Sequence, residues 1–405
     1  MKKILIQGGQ RLQGNAAVAG STELALSMQA AALLASTGEF KLTNVADTAM
    51  VDSMSECLQK IGLGIDAVKP MHQLNVQAQA ELTFDDLTTI DSSTSAALMV
   101  GPLLARTGSI KLNKDQLSDE LIDGLSRLGA TVSSDDQTLK VSVDQLTGSH
   151  LMIHSADCLI TQSLILAAVL ANGITVIENA ACDFEVIALA NLLNKMGARV
   201  HGAGTKTIRI QGVTFVHSCD FEISGDHLEA TALMLAAAIT NGDVIVENIH
   251  AQAVQGAIDQ LERMGCTVIV QQNGIRVLGT AVLLPSDPVA LFPKTMRPEL
   301  AVLQLLANGN SVNAKIDPKL LDQLQKMQAD VQVQNDGLVL KGPCRLTGTS
   351  VKATDAVSAL TLTLAGLAAR GMTIVENGAY LEIEYEDLPS KLQGLGASLQ
   401  LKDID

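Results

Sequence analysis

The stretch that decides the fold is Val18–Ser36, VAGSTELALSMQAAALLAS. It opens on a glycine and small polar residues and runs into a helix apolar nearly all the way round, the mark of a helix buried on most sides. Five relatives of this helix follow, starting at Ser95, Gln162, Glu229, Glu299 and Ser358. After each copy comes a glycine (Gly38, Gly108, Gly173, Gly242, Gly309, Gly371), expected to end the helix in the left-handed conformation. A β-branched run such as ITVIEN follows, then an amphipathic helix such as ALANLLNKMG or AIDQLERMG. The second helix closes on Gly129, Gly197, Gly265 or Gly396, where the fifth copy has Gln328. A strand pair such as TIRIQGV completes a β-α-β-α-β-β unit of about 65 residues, longer than a solenoid repeat. The apolar helix of one copy needs other copies to sheathe it, and the amphipathic one can face water. The fold class is therefore α/β, with three copies per domain packing their apolar helices inside a shell of sheets.

Composition narrows the function. The chain has 43 acidic against 28 basic residues, a net charge of −15. Such a surface repels nucleic acid and anionic membranes, and a polyanionic small substrate would need a local cluster of arginine and lysine. There is no Trp, and the tyrosines are Tyr380 and Tyr385, so no aromatic platform for stacking bases is expected. The six cysteines are scattered without metal spacing and read as small buried hydrophobes of a reducing compartment. No metal site and no cofactor are expected. The N-terminal MKKILIQGGQRL is too short in apolar run for a signal peptide, so a soluble cytoplasmic protein is expected.

A sixfold unit of this kind resembles the enolpyruvyl transferases over the whole chain. The likeness is densest in LQG at Leu12–Gly14, GPLLAR at Gly101–Arg106 and IENAA at Ile177–Ala181. It is also dense in ANLLNKMGARVHGAGTKTIRIQGV at Ala190–Val213, in FP..M at Phe292–Met296 and in ATD at Ala353–Asp355. It lies nearer the branch that takes a UDP-sugar of peptidoglycan precursor synthesis than the shikimate branch, whose serine–lysine motif is absent. The resemblance implies two inside-out α/β domains, residues 1–20 with 226–405 and residues 21–225. It also implies a cleft into which the buried helices point their N-termini, where phosphoenolpyruvate and the sugar nucleotide meet. Both substrates are polyanions, so family members hold them with lysine and arginine.

The site positions implied by the resemblance depart from that pattern. Thr22 stands where the family has its phosphate lysine, and Glu23 where it has the asparagine on the sugar. Both also read as an ordinary helix start. Thr94, in the run Asp91–Ser95, replaces an arginine, and Gly108–Asp119 is too short for the family's lid loop with its cysteine. Asp157, with Thr161 one turn on, takes the place of the diphosphate cradle. Glu185 and Asp226 match family acids, and Asp226 with Glu229 reads as a capping box. Thr295 replaces the aspartate that serves as general base. Arg297 and Glu299 are adjacent, and Glu299 reads either as a substitute base or as part of a good helix start at Pro298. After Asp355 the family's arginine has become Val357, and Glu382–Ile383 replaces an aspartate–arginine pair.

The sequence thus leads to the expectation of a non-catalytic scaffold that keeps the fold. It would bind a small molecule in the cleft or a protein partner, and neither nucleic acid nor membrane. The alternative is an enzyme acting on a less anionic acceptor through a new carboxylate-based site.

Overall fold

The computed structural model describes residues 2–82, 86–88, 92–334 and 337–403. The chain divides into two compact units, Met1–Ala19 with Ser224–Asp405, and Gly20–Ile223. Each has its own apolar core. Position 91, at the head of one sequence motif, lies outside the described residues.

In the Gly20–Ile223 unit the buried helices are Thr22–Ala32, Ser93–Thr107 and Cys158–Ala168. They are surrounded by the amphipathic helices Ala49–Ile61, Asp119–Arg127 and Phe184–Lys195 and by three sheets. One sheet runs Arg199–His201, Thr207–Gln211, Ile174–Glu178, His150–Met152 in spatial order. Its last pair is parallel and the others antiparallel. The Ser93–Thr107 and Cys158–Ala168 helices pack so closely at Gly101 that a Cβ there would lie 2.7 Å from the Ala167 Cβ.

The other unit repeats the plan around His227–Ile239, Arg297–Leu306 and Ala356–Ala368. Its sixth repeat is completed from the far end of the chain. Strand Lys2–Gln7 lies between Met372–Glu376 and Ser398–Asp403, antiparallel to both. Strand Gln13–Ala17 likewise pairs in parallel with Asp243–Glu247. Ile4 and Ile6 are fully buried, so the N-terminal strand is core.

The expected rule that each buried helix ends at its glycine needs correction. Gly108 is a left-handed helix cap. The Thr22–Ala32 helix instead stops at Leu33, before Gly38. In the fourth repeat the left-handed residue is Asn241, at φ 50°. Gly242 is needed there for closeness, because a Cβ would lie 2.6 Å from the Leu12 carbonyl oxygen. The glycines after the amphipathic helices do take positive φ, between 91° at Gly265 and 113° at Gly62. Gln328, their counterpart in the fifth repeat, is forced to the same region at φ 72°.

Candidate functional site

The candidate residues gather at the N-terminal ends of the buried helices, separately in each unit. Six such ends carry unsatisfied N–H groups and a partial positive charge, the usual seat of an anion. Here the chain fills several of them itself.

In the Gly20–Ile223 unit, Ser21 Oγ accepts from the Leu24 N–H at 3.3 Å and Ser92 Oγ from the Ser95 N–H at 3.2 Å. Asp157 Oδ1 accepts from the Ile160 N–H at 2.9 Å. Thr161 is buried; its hydroxyl donates to the Asp157 carbonyl at 2.7 Å and accepts from the Ala181 N–H at 3.1 Å, pinning the next loop to the helix. Thr22 is buried beside the Thr48 hydroxyl, 3.4 Å away, and Glu23 is exposed. Thr94 is half-buried in the first turn of its helix. Glu185 is buried in the first turn of the helix that begins at Phe184. Burial pushes the Cys158 thiol far up, and Glu185, Glu23, Asp183 and Asp157 add to the rise. The sulfur therefore stays protonated.

In the other unit, Asp226 Oδ1 accepts from the Leu228 and Glu229 N–H groups at 2.8 and 3.0 Å. The expected reciprocal capping box does not form. Glu229 turns inward instead: Oε2 accepts from the Ala19 N–H at 2.9 Å, and Oε1 pairs with Lys391. Burial pushes its carboxyl up to about 7, against the pull of Lys391. The full capping box belongs to Asp355, whose Oδ1 accepts from the Ser358 N–H at 2.7 Å while the Ser358 hydroxyl accepts from the Asp355 N–H at 3.0 Å.

Glu299 departs most from a plain helix start. It sits in the first turn of Arg297–Leu306 yet is 1% exposed. Burial pushes its carboxyl up to about 8, with the nearby charges of Glu384 and Asp355 adding to the rise. Its Oε1 lies 2.9 Å from the Thr361 hydroxyl, while Oε2 is buried without a partner among the described residues. Thr361 also stands 2.8 Å from the Val357 carbonyl. One hydroxyl hydrogen cannot serve both oxygens fully, and a protonated Glu299 resolves the conflict by donating to Thr361. Glu384, half-buried, is likewise pushed up by burial and by Asp226 and Asp355. Asp226, Asp355, Glu384 and Glu299 thus form one electrostatic group.

The remaining candidates lie apart from hydrogen-bonded roles at the helix tips. Thr295 is exposed on the turn Lys294–Met296. Arg297 is half-buried, with its Nε without a partner among the described residues. Glu382 pairs with Lys2 at 2.6 Å. Val357 and Ile383, at the two family arginine positions, are each 38% exposed. Sequence reasoning underrated Glu384, whose only signal was its place two residues after Glu382. Among the described residues no group of His, Cys, Asp and Glu could hold a metal ion, and no helix is long and apolar enough to cross a membrane.

Two compact units, each of three buried helices in sheets with acids and hydroxyls at the helix tips, define a repeat-built α/β protein. The sequence profile of the EPSP synthase (3-phosphoshikimate 1-carboxyvinyltransferase) family matches residues 6–392, and the chain belongs to that family. A UDP-N-acetylglucosamine 1-carboxyvinyltransferase 1 from Halalkalibacterium halodurans is 33% identical over 418 residues, covering 99% of this chain and 94% of that protein. The enolpyruvyl transferase NikO from Streptomyces tendae superposes with a TM-score of 0.90 at 21% identity, over 100% of this chain and 99% of that one. EPSP synthase from Acinetobacter baumannii gives 0.81 at 17% identity, over the whole of both chains. These solved structures establish the two-domain inside-out α/β fold.

Proposed function

We propose that this chain keeps the enolpyruvyl-transferase scaffold but not the family's standard reaction, and that its helix tips receive a neutral or cationic small molecule or a protein partner. The observation that carries this reading is the self-capping of the helix ends. The N–H groups of Ile160, Leu228, Glu229 and Ser358 are already held by Asp157, Asp226 and Asp355. A substrate phosphate would have to displace those carboxylates or sit beside them. Two unit negative charges about 5 Å apart repel by roughly 3 kcal/mol at an effective dielectric of 20. Each lost arginine or lysine contact forgoes about 1.5–3 kcal/mol more. Together these exceed the roughly 8 kcal/mol that defines a micromolar complex. Peptidoglycan precursor synthesis, the setting suggested by the Halalkalibacterium relative, would then be the origin of the fold and not its present task. The test is calorimetric titration with phosphoenolpyruvate and UDP-N-acetylglucosamine, singly and together. Binding in the micromolar range would overturn the proposal.

A second reading rests on Glu299. A buried carboxyl with one unpartnered oxygen and a proton held near neutral pH is suited to acid–base work on a less anionic acceptor. Phosphoenolpyruvate turnover on an uncharged alcohol, lost in Glu299→Gln, would favour it over the scaffold reading.

A further inference from the structure

Residues 186–219 contain no aspartate or glutamate but carry Lys195, Arg199, His201, Lys206, Arg209 and His217. The chain as a whole is strongly acidic, so this stretch is a local reversal of charge. Of these, Arg199, His201 and Arg209 lie on strands of one sheet, whereas Lys195 ends a helix and donates to the Asp220 carbonyl at 2.6 Å. Arg199 stands opposite Gln211, and His201 opposite Arg209. Alternation puts Val200, Ile208 and Ile210 in the core and leaves Arg199, His201 and Arg209 outside. Val176, opposite Arg209, continues the row to His150. The same face exposes Met152 and Ile174, at 46% and 43%, and Phe215, in the loop that leaves Gln211, is 72% exposed. Its one acid, Glu178, already pairs with His150 at 3.1 Å.

Two outward cations of other sheets are neutralised by a neighbouring acid. Arg276 forms a two-pronged pair with Asp243 at 2.8 and 2.7 Å, and Lys3 meets Glu376 at 3.5 Å. Arg199 and Arg209 have no carboxylate partner among the described residues. At the Arg199–His201 edge, Asn194 bonds both the N–H and the carbonyl of Val200 at 2.8 Å. A partner docking beside Val200 therefore meets side chains and not a free backbone edge. Arginine, methionine and an exposed aromatic beside apolar surface are what protein interfaces concentrate.

We propose that this face docks an acidic polypeptide segment that carries apolar residues. A long polyphosphate chain fits less well. The net charge of −15 repels it at range, while a short acidic segment within about 8 Å of the face feels mainly the local cations.

The test is fluorescence anisotropy of the full chain with a labelled oligoglutamate peptide bearing a central pair of leucines. The parallel probe is an oligouridylate of equal charge. Arg199→Glu with Arg209→Glu is expected to weaken peptide binding by at least about tenfold, and Phe215→Ala by about threefold. The control Lys319→Glu with Lys326→Glu, on the other unit, is expected to leave it unchanged. Unchanged melting curves show that the variants fold. Absent peptide binding, equal loss in the control, or tighter binding of the oligouridylate overturns the proposal.

Discussion

Replacing Glu299 by glutamine removes a titrating group from the core without changing its shape. The carboxyl is fully buried and raised from 4.5 to about 8, the reverse of the usual salt-bridged acid. The sign follows from which state holds the proton. Below pH 4.5 both folded and unfolded chains are protonated there and no stability is lost. From 4.5 to 8 the unfolded chain ionises while the folded one cannot, so stability falls as pH rises, and above 8 it levels off. At about 1.4 kcal/mol per pH unit, the loss between pH 5 and pH 8 is roughly 3–4 kcal/mol. Glu299→Gln is expected to abolish that share. Its side-chain amide still reaches the Thr361 hydroxyl, so the variant and the parent are near equal in stability at pH 5. At pH 8 the variant is the more stable by the amount above. Urea unfolding of both proteins across this range is the assay. A stability difference that stays flat with pH, or one that favours the parent at pH 8, refutes the protonated Glu299.

Three further outcomes are expected. Gln328→Gly relieves a left-handed backbone that costs a side chain about 1–2 kcal/mol, and part of the gain is lost to the freer unfolded chain. A net rise of about 0.5–1 kcal/mol in denaturant titration is expected, and a fall contradicts it. Gly101→Val places two methyls where Ala167 packs, so a loss of at least about 3 kcal/mol or failure to express as folded protein is expected. Asp355→Ala opens the Asp355–Ser358 capping box and is expected to cost about 1–2 kcal/mol, read as a lower urea midpoint; no change contradicts the cap.

The repeat was legible because its punctuation is physical. A glycine after five of the six amphipathic helices marks a backbone that must turn left-handed, and wholly apolar helices announce their own burial. The strand Lys2–Gln7 was harder to place, since its partners Met372–Glu376 and Ser398–Asp403 lie at the other end of the chain. At the helix tips, Ser21 was readable as a cap from residue type, whereas the capping box expected of Asp226 and Glu229 formed instead at Asp355 and Ser358. Glu299 was not readable, because Pro-Glu at a helix start ordinarily faces water. Its burial comes from the packing of Arg297–Leu306 against Ala356–Ala368, where Thr361 meets it. The basic face escaped notice for a different reason. R-V-H and T-I-R-I-Q each hold few charges, and only the register that sets His201 against Arg209 gathers them.

The central claim is that the helix tips, capped by the chain's own carboxylates, no longer accept two phosphate-bearing substrates. The direct measurement is phosphate release from phosphoenolpyruvate in the presence of UDP-N-acetylglucosamine at millimolar concentrations, with the melting temperature followed alongside. No release above the protein-free blank and no rise in melting temperature are predicted. Sustained release with a raised melting temperature would contradict the account.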